Sequence, residues 1–297
     1  MSKVQIKRII ENKATGDGLM ETGIEGLQLF RVTDPLNCAP AVYEPTVVAI
    51  VSGAKEAILD GKRYVYDSNQ YMCCTMSMPV EAGTPTASKE NPLLGVYISL
   101  DTRIMTELAI EMESAAGAIR QPKGGPLPQG FSLANWDDTF TDSLLRLLEL
   151  LEHPADAAIL GEGRLREVYY AIFKGESGAS ARRSFGVGNE IARSIDYLST
   201  RLDETVTIED MAAQVGMSRA VFHRKFKEAT TMSPIQFVKS MRLNSAAMKI
   251  VGGMNVNQAA IEVGYVSSSQ FSREFKRMYG QSPKQWSHSN PIPAELT

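Results

Sequence analysis

The stretch YVSSSQFSREFKRMYGQSP combines polar and basic side chains with two phenylalanines at helical spacing. Phe271 and Phe275 are four residues apart, so they share one face of a helix. The other sides carry hydroxyl groups, which hydrogen-bond, and positive charges, which attract a polyanion. These polar and basic residues are Ser268, Ser269, Ser272, Arg273 and Lys276. Such a helix docks through its apolar face and leaves its polar face available for recognition.

The elements around this stretch occur twice in the C-terminal half of the chain. Residues 208–216 (IEDMAAQVG) align with residues 256–264 (VNQAAIEVG), and both copies continue with two phenylalanines and a Ser-Pro pair. Each copy contains a short helix closed by glycine and a second helix that starts at a serine, Ser218 or Ser267. The order predicts two helix-turn-helix units, which the long helical stretch after Pro234 joins.

The second helix of each unit carries the side chains expected to bind double-stranded DNA. Short or polar side chains reach base edges in the major groove, and basic ones bind phosphates. The candidates in the first unit are Arg219, Ala220, His223, Arg224 and Lys227. In the second unit they are the five residues named above. One such pattern is common in helical domains that bind no nucleic acid, but two copies in register favour DNA binding.

Residues 188–290 resemble the DNA-binding domain of AraC/XylS-type bacterial transcription regulators. The resemblance rests on the first unit and on many positions of the second, among them Ala260, Val263, Gly264, Tyr265, Ser267, Ser269, Phe271, Arg273, Phe275, Lys276, Gly280, Ser282, Pro283 and Trp286. It implies binding at asymmetric promoter half-sites, contact with RNA polymerase, and a role as an activator of transcription.

The distribution of charge agrees with this division of the chain. The net charge is −3, but residues 1–175 hold 16 Lys and Arg against 23 Asp and Glu, whereas residues 176–297 hold 15 against 11. Only the C-terminal half has the basic bias that favours a polyanionic partner. The Gly/Ser-rich segment 176–188 between them is typical of a linker. We therefore expect a first domain at 1–175 and a DNA-binding domain at 189–290.

The N-terminal half has the pattern of a β domain followed by helices. Residues 27–100 alternate on the strand period, and Asp60-Gly61 is a hairpin signal. Helical stretches follow at 101–116, 137–152 and 162–174, and a Pro/Gly loop lies at 121–130. The predicted fold class is therefore α+β: a β-rich domain with C-terminal helices, then an all-α tandem helix-turn-helix domain.

This β unit resembles the cupin-like N-terminal domain of a subgroup of the same regulators. The matching stretches are PAVYEP (40–45), VSGAKEAIL (51–59) and YISLD (97–101). The resemblance implies that the domain senses an unknown small-molecule effector and forms a homodimer. Two alternatives for this domain are a cupin-type enzyme and a ligand-free dimerisation module.

Metal-dependent catalysis finds little support in the sequence. Cupin enzymes hold their metal through several histidines, and the three histidines here, His153, His223 and His288, all lie outside the β region. We expect no metal, no cofactor and no enzymatic activity.

Cys73, Cys74 and Tyr43 are the candidate ligand contacts of the β domain. Neighbouring side chains in a strand point to opposite faces, so one thiol is expected inside the β domain and the other facing out or into a covering element. Both behave most simply as small buried hydrophobic residues. The alternative is that one is a ligand contact or a reactive sensor thiol, although no flanking cation lowers its pKa.

The leucine-dense helix at 137–152 is the candidate dimer interface. Its leucines cover more than one apolar stripe and are Leu144, Leu145, Leu147, Leu148, Leu150 and Leu151. Either they all belong to the core, or one side faces a partner; the family resemblance favours a dimer.

The sequence also predicts a cytoplasmic protein. No apolar run approaches the roughly 20 residues that cross a bilayer, and the N-terminus lacks the features of a signal peptide. The three cysteines, Cys38, Cys73 and Cys74, are too few for a disulfide framework and are expected to be thiols.

Overall fold

The computed structural model describes residues 2–114, 129–186, 189–204 and 206–289. Its N-terminal half contains two antiparallel sheets, with strand orders β1-β2-β9-β4-β7-β10 and β3-β8-β5-β6. The strands are β1 (Gly18–Glu21), β2 (Leu27–Val32), β3 (Leu36–Tyr43), β4 (Thr46–Ser52), β5 (Ala54–Leu59), β6 (Lys62–Asp67), β7 (Gln70–Cys74), β8 (Met78–Thr84), β9 (Leu93–Ser99) and β10 (Phe131–Asn135).

The larger sheet is buried on both faces. In β4, Val47 and Ala49 belong to a core shared with helices, whereas Val48 and Ile50 belong to a core shared with the smaller sheet. Because side chains alternate across a strand, a sheet covered on both sides needs an unbroken apolar run, which TVVAIV supplies. The β-rich fold predicted for this half is confirmed.

The hairpin expected at Asp60-Gly61 is confirmed. These two residues join β5 to β6 with φ angles of 48° and 77°. Two consecutive positive φ angles match the right-handed twist of the strands, and aspartate followed by glycine tolerates them.

In the described residues, five α-helices precede the DNA-binding half. They are α1 (Ser2–Lys13), α2 (Thr102–Ser114), α3 (Asp138–Glu149), α4 (Pro154–Lys174) and α5 (Gly178–Phe185). A 3₁₀ turn, Leu150–Glu152, extends α3, so the three helical stretches of the sequence are confirmed. The end of the first stretch and residues 121–128 of the Pro/Gly loop lie outside the described residues.

The dimer face expected on the leucine-dense helix is wrong for its central leucines. Leu144, Leu147 and Leu148 are fully buried within the same chain. Leu145 and Leu151 pack against that core as half-buried residues. The reason is that α1 and α4 both pack on α3 and cover these leucines. The sequence alone does not show which elements lie against α3.

Most of the segment 176–188, which the sequence predicts to be a linker, forms α5. Ala181 and Phe185 are buried in the core shared with the helices. A side chain at Gly178 would collide with the backbone carbonyl of Phe173, so its glycine permits close approach of α5 to α4. The small residues of this segment therefore reflect tight packing, a feature that composition does not distinguish from flexibility.

The C-terminal half is entirely helical in its described residues. Its helices are α6 (Glu190–Ser199), α7 (Ile208–Gln214), α8 (Arg219–Thr230), α9 (Pro234–Val251), α10 (Val256–Glu262), α11 (Ser268–Tyr279) and α12 (Pro283–Ser289). The predicted N-caps Ser218 and Ser267 accept hydrogen bonds from backbone N–H groups at the starts of α8 and α11. The single long helix between the units is confirmed as α9.

The two helix-turn-helix units are packed differently. Buried residues of the first unit, including Phe222 and Met232, belong to the same hydrophobic core as the side chains packed between the two sheets. The second unit has a separate core around Phe271 and Phe275. In the described part of the chain, no helix is both long and apolar enough to cross a membrane.

Candidate nucleic-acid interface and ligand cavity

The first candidate recognition helix, α8, buries its aromatic face and exposes its polar one. Phe222 and Phe226 are fully buried, and the ring of Phe226 lies 5.1 Å from that of Phe237 in α9. All five candidate DNA contacts of this unit are exposed: Arg219, Ala220, His223, Arg224 and Lys227. The structure thus separates a packed aromatic face from an exposed polar and basic face, as the spacing predicts.

The turn before each recognition helix depends on glycine. Gly216 and Gly264 have φ angles of 66° and 83°. At Gly264 a Cβ atom would also collide with the backbone carbonyl of Leu202. The left-handed conformation disfavours a larger residue at both positions, and at Gly264 the close approach excludes one.

The second candidate recognition helix, α11, has the same construction. Phe271 and Phe275 are fully buried with ring centroids 5.4 Å apart. The exposed candidates are Ser268, Ser269, Arg273 and Lys276, while Ser272 is half-buried. The Ser269 hydroxyl lies 2.9 Å from the hydroxyl of Ser267. Ser267, which caps α11, therefore also orients Ser269, one of the candidate DNA contacts.

The basic residues of the two units differ in their ion pairs. Arg219 contacts Glu209 at 2.7 Å, and Arg224 lies 3.8 Å from Glu228. Among the described residues, neither Arg273 nor Lys276 has a carboxylate within ion-pair distance. Arg273 and Lys276 of α11 therefore present positive charge that no described carboxylate neutralises.

Sequence reasoning missed a basic cluster beside the second unit. Lys276 lines a shallow groove together with Lys284 and His288 of α12. The His288 Nδ1 atom lies 2.7 Å from the Lys284 carbonyl oxygen, which orients the ring. The signal available in the sequence was a lysine directly after the second Ser-Pro pair, because lysine side chains are common phosphate contacts.

A cavity of about 410 Å³ lies between the two sheets. Its walls are mostly apolar and include Phe30, Val48 and Leu93. Polar residues also line it, among them Gln28, Asn37, Tyr43, Lys55, Thr84 and Tyr97. Mostly apolar walls with a few polar groups are typical of a small-molecule site.

Lys55 is the charged group of the cavity. It shares strand parity with Ala57 and Leu59, which face the core between the sheets. Its Nζ atom lies 5.5 Å from the centre of the Tyr43 ring, and no described carboxylate is within ion-pair distance. The sequence contains this signal as a lysine on the inward period of a strand, although our prediction did not include it.

Two buried hydroxyl groups accompany this lysine. The hydroxyls of Tyr43 and Thr84 are buried, and neither makes a well-formed hydrogen bond within the described residues, although the Tyr43 hydroxyl lies near that of Tyr66. A buried hydroxyl without a partner is costly, by about 1–3 kcal/mol. A bound polar group would supply the missing hydrogen bonds.

Tyr43 lines the cavity, whereas Cys73 and Cys74 do not. Both cysteines are fully buried and face opposite cores, Cys73 towards the helices and Cys74 between the sheets. Burial raises the pKa of Cys73 to about 12 and also raises that of Cys74. Both groups therefore stay thiols at neutral pH, which favours the hydrophobic interpretation over a reactive sensor.

Cys38 is the cysteine that lines the cavity, and sequence reasoning did not select it. Burial, and then the negative charge of Glu56, raises its pKa. Within the described residues, His, Cys, Asp and Glu form no group that could hold a metal ion.

Comparison with protein families divides the chain as the structure does. Residues 23–180 match the family model described as the AraC-type transcriptional regulator N-terminus, and residues 211–289 match a helix-turn-helix domain.

Curated relatives match the C-terminal part. The transcriptional regulator AlkR of Acinetobacter baylyi is 31% identical over 98 residues, which are 33% of this chain and 32% of the relative. MtrA of Neisseria gonorrhoeae is 34% identical over 101 residues, 34% of this chain and 32% of the relative. The chain thus spans about a third of the length of these relatives.

Solved structures extend the similarity to the whole fold. ToxT of Vibrio cholerae, crystallised with an unsaturated fatty acid, aligns with a TM-score of 0.56 at 12% identity, covering 91% of this chain and 95% of its own. At this identity the match shows a shared fold and no more. The N-terminal family model alone covers more than half of the 297 residues, and so the chain belongs to the family of AraC-type transcriptional regulators.

Proposed function

We propose that the protein is a sequence-specific DNA-binding transcription regulator, an activator, whose two helix-turn-helix units read adjacent half-sites. The main support is the pair of capped helices, α8 and α11, that bury two phenylalanines each and expose polar and basic edges. Base-edge hydrogen bonds would give sequence preference, and the basic side chains would bind phosphates.

Arg273 provides the test of DNA recognition. Arg273→Ala should weaken binding to the operator by about 1–3 kcal/mol, because a bidentate contact to guanine or a phosphate contact is lost. Gel-shift titration against a base-substituted operator series gives the affinity and the base preference. Arg103→Ala is the matched control, since Arg103 is an exposed arginine of α2 in the other half. Equal affinity for wild type and Arg273→Ala would contradict the assignment.

We also propose that the effector is an organic acid with an apolar body, bound between the sheets. Lys55 would neutralise the carboxylate, while the Tyr43 and Thr84 hydroxyls would hydrogen-bond to its oxygens. The apolar walls would hold the rest of the molecule. ToxT structures contain molecules of this class, an unsaturated fatty acid and (E)-4-(8-methylnaphthalen-1-yl)but-3-enoic acid, which supports extending the class to this cavity.

The effector proposal is tested with a series of fatty acids and their methyl esters. Acids should raise the melting temperature and esters should not, because only acids carry the charge that Lys55 attracts. Lys55→Gln should weaken acid binding about 10-fold or more. Lys62→Gln is the matched control: Lys62 also lies over a tyrosine ring, at 4.8 Å, but it is exposed at the start of β6 and does not line the cavity. Acids and esters that stabilise the protein equally would contradict the proposal.

A homodimer would place two DNA-binding halves on one promoter, and α4 offers an interface. The exposed side chains of this helix include Ile159, at 80% exposure, with Leu160 and Tyr170. A Cβ at Gly163 would meet no atom within 4 Å, so a second helix could approach closely there.

Ile159→Glu should give a folded monomer in sedimentation experiments. A variant that remains dimeric would show that another surface is used.

Two further elements of the proposal follow from DNA regulation. Activation requires that RNA polymerase be contacted or recruited at the promoter, and a polymerase carrying its promoter-recognition subunit is the proposed partner. A regulator of promoter DNA in a bacterium acts in the cytoplasm, which is where we place the protein.

A further inference from the structure

Asn244 is a buried amide in the middle of α9, the helix that joins the two DNA-binding units. Its exposure is 2%. Asparagine is a weak helix former, and burying its amide is unfavourable unless both ends are hydrogen-bonded. Here both ends are bonded: Nδ2 donates to the carbonyls of Ala41 and Val80 at 2.8 Å each, and Oδ1 accepts from the Tyr279 hydroxyl at 2.7 Å.

The two carbonyls belong to the strands that wall the cavity. Ala41 of β3 and Val80 of β8 are register partners, and α9 packs on both strands. Ala41 itself lines the cavity, and so does Tyr43 two residues further along the same strand. The pairing of β3 with β8 is irregular between Leu36 and Ala39, where part of the cavity wall lies. A ligand that moves β3 therefore moves one of the acceptors that hold Asn244.

Tyr279 connects the same amide to the second recognition helix. It is the last residue of α11, and its ring packs 4.6 Å from Phe275 and 5.1 Å from Trp286. Both of these rings belong to the core that positions α11. A continuous path thus runs from the cavity wall through Asn244 and Tyr279 to the groove-facing helix.

We propose that Asn244 is the positioning residue through which occupancy of the cavity changes the placement of α11 on DNA. The inference rests on the proposed ligand control of the cavity. In the structure the amide holds the second unit against β3 and β8; a ligand that displaces β3 weakens this attachment and shifts α11. Because coupling between two sites is reciprocal, operator binding by α11 must in turn change β3.

Asn244→Asp and Tyr279→Phe separate the two ends of this path. The aspartate retains the acceptor for Tyr279 but places a carboxylate against two carbonyl oxygens, so the strand contact is lost. Tyr279→Phe keeps the ring packing and removes only the bond to Oδ1. Asn12→Asp is the matched control, because Asn12 is an exposed asparagine of α1 that undergoes the same chemical change.

The first measurement is operator affinity with and without a saturating fatty acid identified by the melting experiment. We expect the acid to change affinity about 5-fold or more in wild type and in Asn12→Asp. The ratio should fall to about 1 in Asn244→Asp and Tyr279→Phe, although the acid still raises the melting temperature of both. An acid effect that persists unchanged in a folded Asn244→Asp overturns the proposal.

The second measurement needs no effector, so it tests the role of Asn244 even if no fatty acid binds. Hydrogen exchange of β3 and β8 amides is followed with and without operator DNA. Wild type and Asn12→Asp should show altered exchange in β3 on DNA binding, and Asn244→Asp should not. Failure of every acid to bind would refute the effector proposal alone. Exchange in β3 that does not respond to DNA in wild type would refute the role of Asn244.

Discussion

Thr231 and Gly280 occupy the same position in the two repeats, directly after the recognition helix. Both adopt the left-handed backbone conformation, with φ angles of 67° and 75°. Each donates its N–H to a carbonyl of the preceding helix, Lys227 in the first unit and Lys276 in the second. Glycine adopts this conformation freely, whereas a β-branched residue does so at a cost of about 1–2 kcal/mol. The first unit therefore retains strain that the second lacks.

This difference predicts opposite effects of exchanging the two residues. Thr231→Gly should raise the free energy of unfolding by about 1 kcal/mol, and Gly280→Thr should lower it by a similar amount. Thr231 is exposed, so its side chain contributes little packing to offset the gain. Urea denaturation of both variants supplies the measurement. A destabilised Thr231→Gly would mean that the threonine side chain makes a contribution larger than its strain.

The three thiols should differ in reactivity. Burial raises the pKa of Cys73 to about 12, so at pH 8 this group stays almost entirely in the thiol form. Cys74 is equally buried, while Cys38 is half-buried and lines the cavity. Iodoacetamide should therefore label Cys38 slowly in the folded protein and all three cysteines in urea, as read by intact mass. Rapid labelling of Cys73 or Cys74 in folded protein would restore the sensor-thiol hypothesis.

Some individual site residues could be predicted from the sequence and others could not. The exposed faces of α8 and α11, which hold the candidate DNA contacts, follow from helical periodicity, because the phenylalanines fix which face is buried. Lys55 could have been found from strand parity. Asn244 could not, because nothing in the local pattern of α9 shows that β3 and β8 lie against it. Contacts between distant segments determine its role, and single-residue patterns contain no such information.

At the level of elements, the composition of leucine-dense α3 suggests that it has an exposed apolar face. In the structure, α4 is the helix that has one. The leucines of α3 are covered by α1 and α4, whereas Ile159 and Tyr170 of α4 remain exposed. The sequence identifies both helices, but an apolar stripe alone does not say which neighbour covers it. The Gly/Ser-rich segment 176–188 poses the same difficulty, since small residues serve a tightly packed helix as well as a linker.

Truncation of one residue on each helix tests this assignment. Leu147→Ala should lower the free energy of unfolding by about 2–5 kcal/mol, because it leaves a cavity beside a side chain that is fully buried. Ile159→Ala should change it by less than about 0.5 kcal/mol under conditions where the protein is monomeric. Denaturant titration at low protein concentration gives both values. A mild effect at Leu147 would show that α3 is not part of the core.

At the level of the whole molecule, the separate core of the second unit predicts unfolding in two steps. Each region has its own tryptophan: Trp286 belongs to the core of the second unit, and Trp136 packs beside α3 at 5.2 Å from the Phe140 ring. Trp136→Phe and Trp286→Phe leave one reporter each. We expect the Trp286 signal to change at lower urea concentration, since its core is smaller. Coincident transitions for the two reporters would indicate a single cooperative unit.

The division into a β-rich half and a tandem helical half was predictable because it depends on periodicity and repetition, which are local. How the halves join was not predictable. The first unit shares the core between the sheets, and the Gly130 N–H donates to the Ala229 carbonyl at 2.9 Å. No repeat or charge pattern distinguishes this unit from its copy, although only one of them merges with the β domain.

That merged core limits how new promoter specificities can arise by recombination. A gene fusion that replaced the whole DNA-binding half would have to reproduce the complementary surface of the first unit, or expose apolar side chains of both parents. Replacement of the segment after α9 alone would leave the merged core intact. Exchange of the second unit is therefore the easier route to a changed half-site, whereas the first unit is expected to diversify by point substitutions on the exposed edge of α8.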